Sequence, residues 1–184
     1  PLYSSAASDV YKRQLADNLK CEAFLAFATS AVRSAANAEE VLERVEKKTD
    51  VRLRVLSGEE EARLTFLAAR RWYGWSAGRI TNLDIGGGSL ELSTGTEESP
   101  DLAVSLDLGA GRLTHQWFDT DPPERKKINM LRDFIDAELA PAAEEFKAMG
   151  QAGLAVGTSK TFRSLARLTG AAPSSACLLY TSPS

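Results

Sequence analysis

Apolar and polar residues follow two different periods along the middle of this chain. Short apolar or alternating runs are typical of β-strands, whereas longer stretches with an apolar residue every three or four positions are typical of helices. These patterns predict strands at 23–29, 52–56, 80–84, 89–94, 102–107 and 152–156, and helices at 38–48, 59–72, 121–149 and 161–168. The order of these elements predicts an α/β fold with two units and mixed sheets.

Two of the predicted helices carry further signals. Ser57 and Glu60 have the spacing of a capping box at the start of the helix at 59–72, in which each side chain bonds the backbone N–H of the other residue. Apolar residues cover much of the circumference of this helix, which predicts that it is buried. In the long helix, a single apolar face is formed by Ile128, Leu131, Ile135, Leu139 and Phe146.

The two ends of the chain differ from its middle. Residues 1–14 are rich in Ser and Ala without a clear period, and residues 177–184 follow a predicted helix abruptly. Both ends resemble translated linker sequence, with ordinary disordered termini as the alternative. We therefore expect a natural segment between them, cut from a longer gene. A glycine-containing stretch at 74–78 divides that segment into a first unit at 15–76 and a second at 77–176.

The composition argues against several classes of protein. A net charge of −3 over 184 residues gives no general attraction to nucleic acid or to an anionic membrane. No apolar run approaches the roughly 18 residues that predict a transmembrane helix. Cys21 and Cys177 do not form a disulfide framework, which favours a reducing compartment and a cytoplasmic location. A single histidine, His115, without clustered His or Cys argues against a zinc site.

The segment NLDIGGGSLEL at 82–92 is the most informative part of the sequence. An apolar strand ends at Asp84, three glycines follow at 86–88, and an alternating strand then begins with Ser89 and Glu91. Three glycines cost backbone entropy, and they let main-chain N–H groups approach a ligand without side chains in the way. Convergent N–H groups bind anions, while an adjacent aspartate suits a metal or a water. This pattern predicts a phosphate-binding hairpin.

Five motifs together resemble one known family. They are ATSAVR, SGEEEARL, DIGGGSLEL, LDLGAGRLT and GTSKTFRSLARLTGA, at residues 28–33, 57–64, 84–92, 106–114 and 157–171. Their order is that of the exopolyphosphatase/guanosine pentaphosphate phosphohydrolase (Ppx/GppA) family, and the similarity covers nearly all of the chain between its atypical ends. The sequence at 70–79 and the GTSK variant look most like actinobacterial members. The resemblance implies the ribonuclease-H-like fold of actin, sugar kinases and chaperone ATPases, with two lobes and phosphate loops at their cleft.

The resemblance also implies an activity and a set of site residues. The activity is release of terminal orthophosphate from inorganic polyphosphate or guanosine pentaphosphate, by in-line attack of a water that Glu61 activates. Asp84 and Glu91 match metal- and water-positioning acids, which implies Mg²⁺ or another divalent cation. The residues that match phosphate-binding positions are Gly86, Gly87, Gly88, Ser89 and Arg33. Gly157, Thr158 and Ser159 join a predicted strand to a predicted helix, so their N–H groups and the N-terminus of that helix also suit an anion. Three of the matched residues also have an alternative interpretation without a function. Glu61 is one of three acids that the N-terminus of a helix favours, and Glu91 and Arg33 also suit a solvated surface.

Several questions stay open at this level. The family's first phosphate loop, a DxGSNS-like hairpin, and its C-terminal domain do not occur in this sequence, so we expect the chain alone to be inactive or nearly so. Lys160, where many relatives have a small residue, either adds charge beside the phosphate or is solvated. Residues 109–112 either bring a second stretch of backbone close to the ligand or form a turn with a surface arginine.

The alternatives for function come from different classes. A non-catalytic phosphate or nucleotide sensor would keep the cleft without turnover, and a kinase-like transferase of the same fold would need an adenosine pocket. The sequence does not choose between polyphosphate and guanosine pentaphosphate, because both present a terminal phosphate to the same loops. The family often forms homodimers, and nothing in this sequence tests that expectation.

Overall fold

The computed structural model describes residues 25–171, and these form an α/β structure with six strands and six α-helices. The elements in chain order are β1 (Phe27–Ala28), α1 (Ser30–Arg33), α2 (Ala38–Thr49), β2 (Arg54–Val55), α3 (Gly58–Tyr73), β3 (Ile80–Ile85), β4 (Leu90–Gly95), β5 (Leu102–Leu106), α4 (Ala110–Trp117), α5 (Arg125–Ala148), β6 (Leu154–Thr158) and α6 (Ser159–Leu168). A 3₁₀ turn at Trp75–Ala77 follows α3. The predicted α/β class is confirmed.

The strands form one small and one larger sheet. β1 and β2 pair in parallel. The larger sheet has the order β5-β4-β3-β6, in which β3, β4 and β5 are antiparallel neighbours and β6 runs parallel to β3. The sheet is therefore mixed, as the sequence predicts.

The differences from the predicted elements lie mostly in short segments. The pattern does not predict α1 or α4, because a helix of four or eight residues offers too few turns for a period to show. The predicted strand at 23–29 is described from residue 25 and pairs only over β1. The strand predicted at 152–156 lies two residues later, as β6, since Leu154 is the residue that pairs with Ile80.

One face of the larger sheet is covered by α4 and α5. Leu90 and Leu92 on β4 pack with Leu113 on α4 and Ala142 on α5. The apolar face predicted for the long helix joins this core through Leu131, Ile135, Leu139 and Phe146. The core of this layer is apolar, so its burial stabilises the sheet.

The other face of the sheet is covered by α3, which packs across β3, β4 and β5. Phe66 and Ala69 pack with Ile80 on β3. The prediction that this helix is buried around much of its circumference is wrong: Leu64 is 46% exposed, because the sheet covers only one side of the helix. The sequence predicts a boundary between two units at residues 76 and 77, with α3 in the first unit. This boundary stays a prediction.

Within residues 25–171, no helix is both long enough and apolar enough to cross a membrane.

The capping box at the start of α3 has a measurable contribution to stability. Glu60 N–H donates to Ser57 Oγ at 3.1 Å, and Ser57 N–H donates to Glu60 Oε2 at 2.8 Å. We expect Ser57→Ala to lower the free energy of unfolding by about 1 kcal/mol, the usual cost of losing such a cap. Urea unfolding of the 184-residue chain measures it, with exposed Ser99→Ala as the control. Equal unfolding midpoints for the two variants would contradict the role of this cap.

Candidate functional site

The glycine hairpin joins β3 to β4 at one edge of the larger sheet. The N–H of Gly86 donates to the carbonyl of Ser89 at 2.9 Å and closes the turn. One position further from the turn than the pair Ile85–Leu90, Asp84 and Glu91 are register partners on the two antiparallel strands. Directly opposite residues of an antiparallel pair carry side chains on the same face, so both carboxylates lie on the face that α3 covers.

Nothing in the described part of the chain explains why the middle residue of the three is glycine. Within residues 25–171, a Cβ atom at Gly87 would meet no atom within 4 Å, and the φ of this residue lies outside the left-handed region. At Gly88, a Cβ atom would approach Ser30 Oγ to 3.0 Å. Neither backbone strain nor packing therefore requires glycine at position 87. This is the arrangement expected where the backbone must stay open to a ligand.

Glu91 is a carboxylate in an almost fully buried position. The residue is 4% exposed, and Ser105 Oγ on the neighbouring strand donates to its Oε1 at 3.1 Å. Burial raises the pKa of Glu91 above its ordinary value, and the negative charges of Glu61 and Asp84 raise it further. Hydrogen bonds from Ser89 and Ser105 oppose this rise. The three acids are therefore close enough for their charges to interact.

Of the three consecutive glutamates at 59–61, Glu61 is the one that faces Asp84 and Glu91. Its Oε1 accepts a hydrogen bond from Arg33 Nη1, which also donates to the carbonyl of Leu56. Glu60 caps α3 and pairs with Arg54 instead. The local sequence does not show whether Glu60 or Glu61 belongs to the site, whereas the structure shows that Glu61 faces the acid pair and Glu60 does not.

A glycine at the start of α3 allows this approach. A Cβ atom at Gly58 would lie 2.2 Å from Ser105 Oγ, so a larger residue would push the helix away from β5. Since Ser105 also binds Glu91, this contact places the first turn of α3 beside the acid pair. The sequence patterns do not identify Ser105 as a site residue. Pairing of β4 with β5 in an antiparallel meander places it opposite Glu91, and this pairing is the signal that could have found it.

The predicted phosphate-binding residues Gly157, Thr158 and Ser159 lie at the end of β6, beside the same end of β3. Thr158 is the register partner of Asp84 on the other side of β3. Ser159 has φ of 79°, and its buried Oγ has no hydrogen-bond partner in the described part of the chain. Gly157 has a packing reason for being glycine, because a Cβ atom there would lie 2.6 Å from the ring of Phe162. Lys160 is exposed.

The structure therefore brings most of the predicted residues to one edge of the sheet. The hairpin, Asp84 and Glu91 lie together with Glu61, and Arg33 reaches them from α1 through Glu61. Thr158 and Ser159 flank Asp84 on the side of β6.

This donor set offers a divalent cation only a few ligands. Within residues 25–171, no group of three or more His, Cys, Asp or Glu side chains is arranged to hold a metal ion. Asp84 and Glu91 supply two carboxylates. That set suits Mg²⁺, which is usually held by one or two carboxylates together with waters and substrate phosphates.

Comparison with known proteins identifies the family. The model of the Ppx/GppA phosphatase family matches residues 10–181. The chain belongs to the Ppx/GppA phosphatase family. A Mycobacterium tuberculosis protein described as exopolyphosphatase 1 is 65% identical over 156 residues, which are 85% of this chain and 45% of that protein.

Solved structures of Ppx/GppA proteins have the same fold. An exopolyphosphatase from Cytophaga hutchinsonii superimposes with a TM-score of 0.76 at 28% identity, over 88% of this chain and 52% of that chain. A family member from Aquifex aeolicus gives a TM-score of 0.67 at 32% identity, over 86% and 50%. The ribonuclease-H-like fold implied by the sequence motifs is confirmed. The chain spans about half the length of the Ppx/GppA proteins it matches.

The buried carboxyl of Glu91 predicts a pH-dependent stability. Because its pKa is raised in the folded state, folding retains a proton that the unfolded chain releases above about pH 4.5. In that window the unfolded state binds fewer protons, so stability falls as pH rises. We expect Glu91→Gln to raise the melting temperature at pH 7 in the presence of EDTA, with a smaller effect near pH 4.

The control for this measurement is Glu97→Gln, at an exposed position in the turn after β4. A melting temperature for Glu91→Gln that is equal to or below wild type at pH 7 would show that the buried carboxylate does not destabilise the fold.

Proposed function

We propose that this chain forms part of a phosphoanhydride hydrolase that releases orthophosphate from the end of inorganic polyphosphate. The observation that carries the proposal is the meeting of the glycine hairpin, the Asp84–Glu91 pair and Glu61 at one edge of the sheet. The description of the 65% identical relative as exopolyphosphatase 1 supports polyphosphate as the substrate. The same loops suit the terminal phosphate of guanosine pentaphosphate, which is the second substrate to compare.

In this proposal the terminal phosphate binds at the hairpin. Main-chain N–H groups of Gly87, Gly88 and Ser89 donate to its oxygens, and no side chain at Gly87 blocks the approach. The polar groups at Thr158 and Ser159 lie on the β6 side of the same phosphate. Arg33 adds a positive charge once it leaves its partner Glu61.

Glu61 is then the proton acceptor for the attacking water. The water oxygen forms a bond to the terminal phosphorus, and the bond from that phosphorus to the bridging oxygen breaks, so that the shortened polyphosphate leaves with this oxygen. The water proton passes to the Glu61 carboxylate, and the terminal group is released as orthophosphate. The Glu61 side chain is 15% exposed, which leaves its head in contact with solvent. An incoming phosphate competes for the Arg33 guanidinium, so substrate binding frees the carboxylate that the reaction uses.

Asp84 and Glu91 would hold the divalent cation. When bound, Mg²⁺ offsets negative charge on the phosphate oxygens and orients the substrate. Its binding requires a deprotonated Glu91, and burial of that carboxyl opposes deprotonation. The two serine hydroxyls on Glu91 favour the ionised form and thus help to prepare the site.

The activity should be measured in a longer protein. The family's first phosphate loop does not occur in this sequence, and each donor in such a clamp is worth about 10²–10³ in rate. We therefore propose that the 184-residue chain alone is nearly inactive. In the chimera for this measurement, the 156 aligned residues replace those of the Mycobacterium tuberculosis relative, which contributes the rest of its length.

The test of the proposal is Glu61→Gln in this chimera. We expect Mg²⁺-dependent orthophosphate release from polyphosphate to fall about 10²–10⁴-fold, the usual contribution of a general base. Binding of polyphosphate should be at least as tight as in wild type, because the amide keeps the size of the side chain and lacks the charge that competes with phosphate for Arg33. Glu59→Gln is the matched control, since Glu59 lies in the same helical turn and is exposed.

Each alternative function has its own result in this assay. Binding without turnover in the wild-type chimera would favour a phosphate sensor. Turnover that requires a nucleoside acceptor would favour a transferase. Release that is faster from guanosine pentaphosphate than from polyphosphate would replace the substrate proposed here.

A further inference from the structure

The beginning of α4 binds the carbonyls of the three hairpin glycines. The N–H of Ala110 donates to the carbonyl of Gly86 at 3.0 Å, and the N–H of Arg112 donates to that of Gly87 at 2.9 Å. The side chain of Arg112 donates through Nε to the carbonyl of Gly88 at 2.8 Å. The first N–H groups of a helix have no partner within the helix, and here two of them bind the hairpin instead.

These bonds determine where the N–H groups of the hairpin point. In a planar trans peptide, the C=O of one residue and the N–H of the next point in opposite directions. Since the carbonyls of residues 86–88 point towards α4, the N–H groups of Gly87, Gly88 and Ser89 point away from it. None of these three N–H groups donates to a backbone carbonyl within residues 25–171. They are therefore available on the side of the hairpin opposite α4.

Close packing at Gly109 makes this arrangement possible. A Cβ atom at Gly109 would lie 2.3 Å from the carbonyl carbon of Gly88 and from the nitrogen of Ser89. Both are backbone atoms, so a larger residue at 109 would have to displace the hairpin itself.

Arg112 also connects the hairpin to the segment that carries Arg33. Its Nη2 lies 3.3 Å from Ser34 Oγ and 3.2 Å from Asp107 Oδ1. Ser34 directly follows Arg33, the last residue of α1. One guanidinium group thus contacts the hairpin, the end of α1 and the loop after β5.

We propose that Arg112 is a positioning residue for the phosphate site. Its guanidinium and the N-terminus of α4 orient the hairpin so that three N–H groups face the substrate, and they fix the hairpin relative to Arg33. The inference rests on the proposed function, because it takes the terminal phosphate to bind at this hairpin. Arg112 acts through the hairpin and does not touch the reacting atoms.

The kinetic test is Arg112→Gln in the full-length chimera. A misplacement of about 1 Å in an active site costs on the order of 10²-fold, so we expect kcat to fall about 10- to 100-fold. KM for long-chain polyphosphate should change little, because many phosphates share the binding of the chain. Arg112→Lys should be impaired as well, since an ammonium lacks the fork that reaches two acceptors. Arg71→Gln, which removes an exposed pair with Glu98, is the control.

A second readout does not depend on catalysis. In the 184-residue chain, we expect Arg112→Gln to shift or broaden the amide NMR signals of Gly87, Gly88 and Ser89, while Arg71→Gln leaves them unchanged. Gly109→Ala should move the same signals, which keeps the test available if Arg112→Gln does not fold.

The outcomes separate the two proposals. Wild-type kcat together with wild-type hairpin signals in Arg112→Gln would overturn the positioning role. A wild-type chimera that releases no orthophosphate would count against the proposed function, and the hairpin signals would still decide the role of Arg112.

Discussion

The candidate site depends on the register between β3 and β4. This antiparallel pairing places Asp84 opposite Glu91 and leaves residues 86–89 as the turn between them. A shift of one residue would turn one carboxylate to the other face of the sheet, where Leu83 and Leu92 contribute to the apolar core under α5. The apolar layer thus specifies the register, and the register positions the acids.

The face of the sheet under α3 contains buried polar groups that destabilise the fold. Glu91 is nearly fully buried, and its pKa is raised for that reason. Below it, Asn82 and Ser93 are register partners with no exposed surface, and their side-chain polar atoms have no hydrogen-bond partner within residues 25–171. Buried polar groups without partners destabilise a fold. The opposite, apolar face offsets that cost, so one sheet combines a stabilising layer with a layer that holds the site.

Sequence patterns predicted the parts of the fold that depend on period and local chemistry. The capping box at Ser57, the apolar face of α5 and the mixed sheet are confirmed. The patterns missed α4, which is too short for a period to show, and Ser105, which matters through its contact with Glu91 on the neighbouring strand. The roles predicted for Glu61, Asp84 and Glu91 came from motif resemblance, and the structure adds their proximity. Only the fold shows that Arg33 pairs with Glu61 and Arg112 with the hairpin.

The central claim is that the hairpin and the acid pair bind a terminal phosphate together with a divalent cation. A crystal structure of the full-length chimera with Mn²⁺ and orthophosphate tests it most directly, since the anomalous signal of Mn²⁺ locates the cation. We expect Mn²⁺ at the carboxylates of Asp84 and Glu91, with phosphate oxygens on the N–H groups of residues 87–89. Phosphate bound away from the hairpin, or Mn²⁺ held without either carboxylate, would contradict the account.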